Sequence, residues 1–381
     1  MTANGIDCND PLQAVPVSVP GPQHATAARQ FQGIPGLTLA PGGRFFACWY
    51  SGGVNEGPNN YVVVVTSDDG GRTWSEPVAV VDPPGPNVRT FDPTLWTDPL
   101  GRVWLFWAQA WSPKDNIIAD GVNGVWFSLL EEPDAAELHW SAPRRLYDGV
   151  MLNKPCVLPD GSWGFPVSIW AEGMGGGQPP ERLRDEIGAN LVVSYDKGRS
   201  FRRRGGFRLA RSIFDEHHIM PLRDGRLWCL ARTWYGVGQG FSSDGGRNWH
   251  DCGPAPLAGP NARFHLMRLQ SGPLLLVNHQ VVKGESKDWR TRCRLTAYLS
   301  EDDGRSWNDG LMLDERVNVS YPDGVQDATG RLWIIYDYER YKAGDILLAS
   351  VTEDELLAGK LSNADSFLRR VINHSGGVRK E

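Results

Sequence analysis

The sequence predicts an all-β fold: a six-bladed β-propeller of four-stranded antiparallel blades. Three observations predict it. One tight-turn signature recurs along the chain at blade-like spacing. A short apolar or aromatic strand follows a Gly-containing turn six times. Helical periodicity is almost absent over the 381 residues. Repeats of this length are single supersecondary units, and in a closed ring each shares its core with its neighbours. A β-helix is the alternative, but its repeats are shorter.

The turn signature is Ser-x-Asp-x-Gly-x-x-Trp. Full copies begin at Ser67, Ser242 and Ser300, and a fourth begins at Ser194 with Phe201 in place of Trp. Asp and Ser side chains bond the turn backbone, Gly adopts φ > 0, and the aromatic packs beneath a neighbouring strand. Two degenerate copies complete the series. They are Trp126-Phe127-Ser128, with Trp140-Ser141-Ala142-Pro143 downstream, and Leu348-Ala349-Ser350. The six serines stand 61, 66, 48, 58 and 50 residues apart.

Each signature ends the third strand of a unit. The second strands include Phe45-Phe46-Ala47-Cys48-Trp49, Val103-Trp104-Leu105-Phe106-Trp107, Leu227-Trp228-Cys229-Leu230 and Leu332-Trp333-Ile334-Ile335. Those after Gly161 and Gly272 are of the same kind, and each reads as a strand entered from a hairpin. Trp104, Trp163, Trp228 and Trp333 are assigned to the core between blades. The first strands then fall in 29–37, 87–96, 152–158, 214–222, 261–269 and 319–326. Residues 1–28 form an extended lead-in, 29–371 a single propeller domain, and 372–381 a loose tail. Glu353-Asp354-Glu355-Leu356-Leu357 reads as a short helix.

The net charge of −6 does not indicate a nucleic-acid surface. Six scattered cysteines with no CxxC pair fit reduced thiols better than a disulfide frame or a zinc site. The first twenty residues lack a basic n-region and an apolar h-region, and no apolar run approaches membrane-spanning length. The expectation is a cytoplasmic protein that uses no cofactor or metal. Neither nucleic acid nor a membrane is the expected partner.

First strands of a propeller line the central channel, so their starts converge on one pocket. These stretches carry Arg29, Arg89, Asp92, Lys154, Asp215, Glu216, His217, His218, Arg263 and Tyr321. Polar groups there are costly unless they meet a ligand or one another. A ligand site is the functional reading, and an ion-pair network closing the channel is the bland one. His217 and His218 are adjacent, so a strand points them to opposite faces. No further His or Cys stands where a zinc site would need it. Trp170 and Trp234 follow their strands and are candidates to stack on a ligand. The Gly173-Met174-Gly175-Gly176-Gly177 loop reads as a flexible rim.

The four turns resemble the Asp-boxes, or BNR repeats, of the sialidase (neuraminidase) superfamily, from about residue 29 to the end. The resemblance implies a Tyr nucleophile polarised by a Glu. Glu216, in Phe214-Asp215-Glu216-His217-His218, matches the Glu, and Tyr321, in Val319-Ser320-Tyr321-Pro322-Asp323, matches the nucleophile. Arg232, and Arg292 with Arg294 as fallback, match two arginines of the family's carboxylate clamp. The sequence departs from the family twice. The clamp motif Arg-Ile-Pro reads Gly33-Ile34-Pro35 here, leaving Arg29 or Arg89 as candidate substitutes. Where the family has its acid/base Asp, the carboxylate is Glu56, with Asp92 as the alternative. Lys154 and His217 complete the candidate contacts.

The chemistry is coherent on its own terms. A phenol with a pKa near 10 is a weak nucleophile until a carboxylate takes its proton. A neutral phenol avoids repulsion by an anionic sugar, and sialidases are the glycosidases that use Tyr in place of a carboxylate. Arginines hold the sugar carboxylate through bidentate bonds. The expected activity is exo-hydrolysis of a terminal acidic sugar, sialic acid or a related ulosonic acid. A uronate-specific polysaccharide lyase using Tyr321 or His217 is the enzymatic alternative, and a non-catalytic carbohydrate-binding propeller is the third.

Overall fold

The computed structural model describes residues 10–83, 85, 87–113, 123–171, 178–212, 214–281 and 291–376. They form six four-stranded antiparallel sheets, each made of strands consecutive in sequence. The predicted propeller is the observed one. The inner strands are Gln32–Leu39, Val88–Thr97, Cys156–Val157, Asp215–Pro221, His265–Arg268 and Val319–Gln326 for blades one to six. All fall within or overlap the predicted stretches. The predicted short helix is Glu353–Ala358, capped by Thr352. Among the described residues no helix is long and apolar enough to cross a membrane. The Gly173–Gly177 rim lies outside the described residues, as do 1–9 and 377–381.

Six hydrophobic clusters fill the six seams between blades. In blade one, Phe46, Cys48 and Tyr50 join the cluster with blade two. Phe45, Ala47 and Trp49 of the same strand join the cluster with blade six. Alternate side chains point to opposite faces, and both faces are buried, so the strand is apolar throughout. Trp104 and Trp163 pack in one seam and Trp228 and Trp333 in two others, as assigned from sequence.

The signature turns work as their residue types suggest. Asp69 Oδ1 accepts from the backbone N–H groups of Arg72 at 3.0 Å and Thr73 at 2.9 Å, while Ser67 Oγ accepts from Gly71 N at 3.0 Å. Asp196 and Asp244 repeat the pattern. The aromatic closing each box packs on the seam with the preceding blade: Trp74 on six, Phe201 on two, Trp249 on three and Trp307 on four. The fifth position of the box beginning at Ser300 must be small, because a Cβ at Gly304 would lie 2.5 Å from the Trp228 ring.

Blade six closes on blade one without exchanging a strand. Arg29 is the clasp. It donates to His24 O at 2.7 Å and Asn373 Oδ1 at 2.7 Å, and Gln32 donates to Gly344 O at 2.7 Å. The lead-in contains two short 3₁₀ turns, and Ser18 bridges to Val80 at the outer edge of blade one. Ile372, Asn373 and His374, assigned to a loose tail, belong instead to the outer strand Phe367–His374. Its pairing with Asp345–Val351 is what orders them.

Candidate active site

Four inner strands are bulged at the same level of the channel. The register slips between Gly33 and Gly36, Phe91 and Thr94, Asp215 and His218, and Ser320 and Asp323. At the slips Ile34, Asp92, Glu216 and Tyr321 have φ of 59°, 46°, 41° and 53°. Bulges re-aim side chains, and positive φ in such residues costs about 1–3 kcal/mol each. Strain concentrated on one level makes that level the candidate site. All four side chains line a cavity of about 300 Å³.

Tyr321 and Glu216 meet there, although 105 residues separate them. The phenol Oη donates to Glu216 Oε1 at 3.4 Å. Arg232 lies on the strand paired with the Glu216 strand and donates from Nη1 to Glu216 Oε1 at 2.8 Å and to Tyr321 Oη at 3.3 Å. Asn261 Oδ1 holds the Arg232 Nε at 2.6 Å. The Arg292 guanidinium lies 5.1 Å from the Tyr321 ring centre, and Arg292, not Arg294, lines the cavity.

The missing clamp arginine has a physical explanation. Arg340, just after the second strand of blade six, enters the cavity over Gly33, with its guanidinium 4.9 Å from the Tyr321 ring. A Cβ at position 33 would lie 2.9 Å from Arg340 Cβ and Cδ. A side chain at 33 and Arg340 therefore exclude each other. Sequence reasoning missed Arg340 and its neighbour Tyr341. Trp170 and Trp234 hold the same place after the second strands of blades three and four, which was the available signal. Both tryptophans line the cavity, Trp234 42% exposed and Trp170 packed on Phe214.

The two candidate acids differ. Burial disfavours the Glu56 anion, but Arg340 and Arg89 outweigh it and hold its carboxyl below the usual value. Arg340 bonds Glu56 at 3.0 Å and the Tyr341 hydroxyl donates to it at 2.7 Å. Burial and then the Glu216 charge push Asp92 up to about 7. Asp92 is thus the carboxyl that keeps its proton near neutrality. Among the described residues, Glu216 Oε2, Arg292 Nε and Arg340 Nη1 are buried and have no hydrogen-bond partner. Such groups around one cavity are open to water or a ligand.

Four sequence candidates lie elsewhere, which corrects their assignment to the pocket. Arg29 is the ring clasp. Arg89 rests on Phe91, 4.2 Å from the ring centre, and does not line the cavity. His217 turns to Asn190 O at 2.9 Å, and burial lowers its pKa to about 4. Lys154 pairs with Asp323 deeper in the channel, beside Arg263 and His265. The ion-pair network expected as the bland alternative exists, one layer beneath the cavity. A larger cavity, about 510 Å³, opens beyond that network, lined by Lys154, His218 and His265. Lys154 is ion-paired there and His218 bonds Phe264 O, so the smaller cavity is the better candidate.

A family model described as a BNR repeat-like domain matches residues 43–334. No curated protein matches the chain. Among solved structures the chain is similar to the Hadza microbial sialidase Hz136, with TM-score 0.67 and 16% identity over 86% of this chain. It spans 66% of that protein's length. It is similar to the intramolecular trans-sialidase from Ruminococcus gnavus, with TM-score 0.64 and 13% identity, covering 90% of this chain and 98% of that one. A Dyadobacter fermentans protein of unknown function matches with TM-score 0.62 and 16% identity, covering 86% of this chain and 94% of that one. The described blades, their Asp-box turns and the extent of the family match lead to one statement: the chain belongs to the BNR repeat-like domain family, on a six-bladed propeller of the sialidase type.

Proposed function

We propose that this chain is an exo-glycosidase that removes a terminal acidic sugar, sialic acid or a related ulosonic acid, through a tyrosyl intermediate. The observation that carries the reading is Tyr321 bonded to Glu216 and Arg232, with Arg292 and Arg340 flanking it, in a cavity of about 300 Å³. Arg232, Arg292 and Arg340 hold the sugar carboxylate. Tyr321 Oη attacks the anomeric carbon and its proton passes to Glu216. The glycosidic C–O bond breaks and the leaving oxygen takes the Asp92 proton. Water then attacks the same carbon and gives a proton to Asp92, the bond to Tyr321 breaks, and Glu216 returns the proton to the phenol. Glu56 serves by holding Arg340 rather than as the acid.

Two observations weigh against the lyase alternative, which keeps only Tyr321 as its base. Arg340 supplies a third cavity arginine, and His217 is turned away from the cavity. The test is a panel of aryl glycosides of sialic, ketodeoxy and uronic acids, followed by trapping with a fluorinated acidic sugar. The expected result is turnover of an ulosonic glycoside and an adduct on Tyr321. An unsaturated product with no adduct would select the lyase. One neighbour is an intramolecular trans-sialidase, so products are also checked for an anhydro sugar.

A further inference from the structure

The backbone carbonyls of the two bulges carrying Glu216 and Tyr321 end on one buried pair, Asn153 and Arg263. Each is only 1% exposed, and neither lines the cavity. Asn153 Nδ2 donates to Glu216 O at 2.7 Å and His217 O at 3.1 Å. Its Oδ1 accepts from Arg263 Nε at 2.7 Å. Arg263 Nη1 donates to Pro322 O at 2.8 Å and Tyr321 O at 3.4 Å, and Nη2 to Leu152 O at 3.2 Å. The path runs from the bulge of blade four, through segments ahead of the inner strands of blades three and five, to the bulge of blade six.

A bulge leaves ladder groups unpaired, and positive φ persists only where the surroundings over-determine it. Here one planar fork and one amide reach both strained segments together. We propose that Asn153 and Arg263 form a positioning bridge that sets the approach of Tyr321 to Glu216. The proposal rests on reading those two as the reacting pair. Arginine suits the place because its donors are fixed in a plane and point three ways at once. Lysine keeps the charge but not the fork. Asp323, 3.8 Å from Arg263, balances the charge from the layer beneath.

The test uses the full chain with Arg263→Lys and Asn153→Ala, an aryl α-sialoside as probe, and Tyr321→Phe as background. The expected result is kcat lowered about a hundredfold, the cost of a misplacement near 1 Å, with KM nearly unchanged. In the Tyr321→Phe background neither substitution lowers the residual rate further, because the bridge acts through that phenol. A lower melting temperature with kcat unchanged would overturn the proposal, as would a raised KM with kcat kept. Asn153→Ala retains the Arg263 bonds to blade six, so it serves if Arg263→Lys does not fold. Unfolding of both would make the pair a keystone of the fold and overturn the proposal too. If the wild-type chain turns over no acidic glycoside, the function is wrong and the bridge is read crystallographically. The separation of Tyr321 Oη from Glu216 Oε1, 3.4 Å here, should then shift by more than about 0.5 Å in the variants. An unchanged separation would refute the bridge by itself.

Discussion

Tyr321, Asp92 and Arg340 divide the proposed chemistry, and each is tested by a substitution of similar size. Tyr321→Phe removes only the buried hydroxyl and should lower kcat by at least about 10³-fold while sparing binding. Full activity in that variant would exclude the tyrosyl mechanism. Arg340→Met should raise KM tenfold to a hundredfold, since a charged hydrogen bond contributes about 1.5–3 kcal/mol. The measurement is KM on the aryl sialoside, and an unchanged KM would remove Arg340 from the carboxylate site. Asp92→Asn should lower kcat by about 10²–10⁴-fold for loss of the general acid.

Asp92 also ties stability to pH. Its carboxyl rises from the ordinary 3.8 to about 7 in the fold, so the native state keeps a proton that the unfolded chain has released. The stabilisation is complete below 3.8 and lost as pH rises through about 7. The wild type should therefore lose melting temperature relative to Asp92→Asn between about pH 4 and about pH 7, and level off above that. Parallel melting curves would show an ordinary carboxyl at that position.

Among the elements, the Asp-boxes hold the turns and the bulges carry the proposed site. Asp69 organises its turn from the rim of blade one and touches nothing in the cavity. Asp69→Ala should lower the melting temperature and leave kcat of the folded protein unchanged. A selective loss of kcat would refute this division. The boxes were legible because their residue types act within eight consecutive positions. The bulges were not, because a one-residue slip depends on the partner strand. Glu216 and Tyr321 were found through family resemblance, and Arg340 was missed because it comes from a loop in place of the usual strand.

The whole ring decides which charges serve the site. Arg29, Lys154 and Tyr321 all lie at or near starts of inner strands, yet one clasps blades, one plugs the channel and one lines the cavity. Arg29→Met should cost about 1–3 kcal/mol for the buried acceptors it abandons, with kcat of the folded fraction unchanged. Urea unfolding measures the first and turnover the second. The sequence by itself determined the blade count, the turns and the seams. Those features follow from local residue types and from a turn-and-strand unit repeated six times. Only the tertiary structure decided the depth of each charge in the channel, the entry of Arg340 over Gly33, and the opposite shifts of the Asp92 and Glu56 carboxyls. These depend on distances between blades far apart in sequence. Burial and neighbouring charge at such distances set which carboxyl keeps its proton, and no local pattern encodes them.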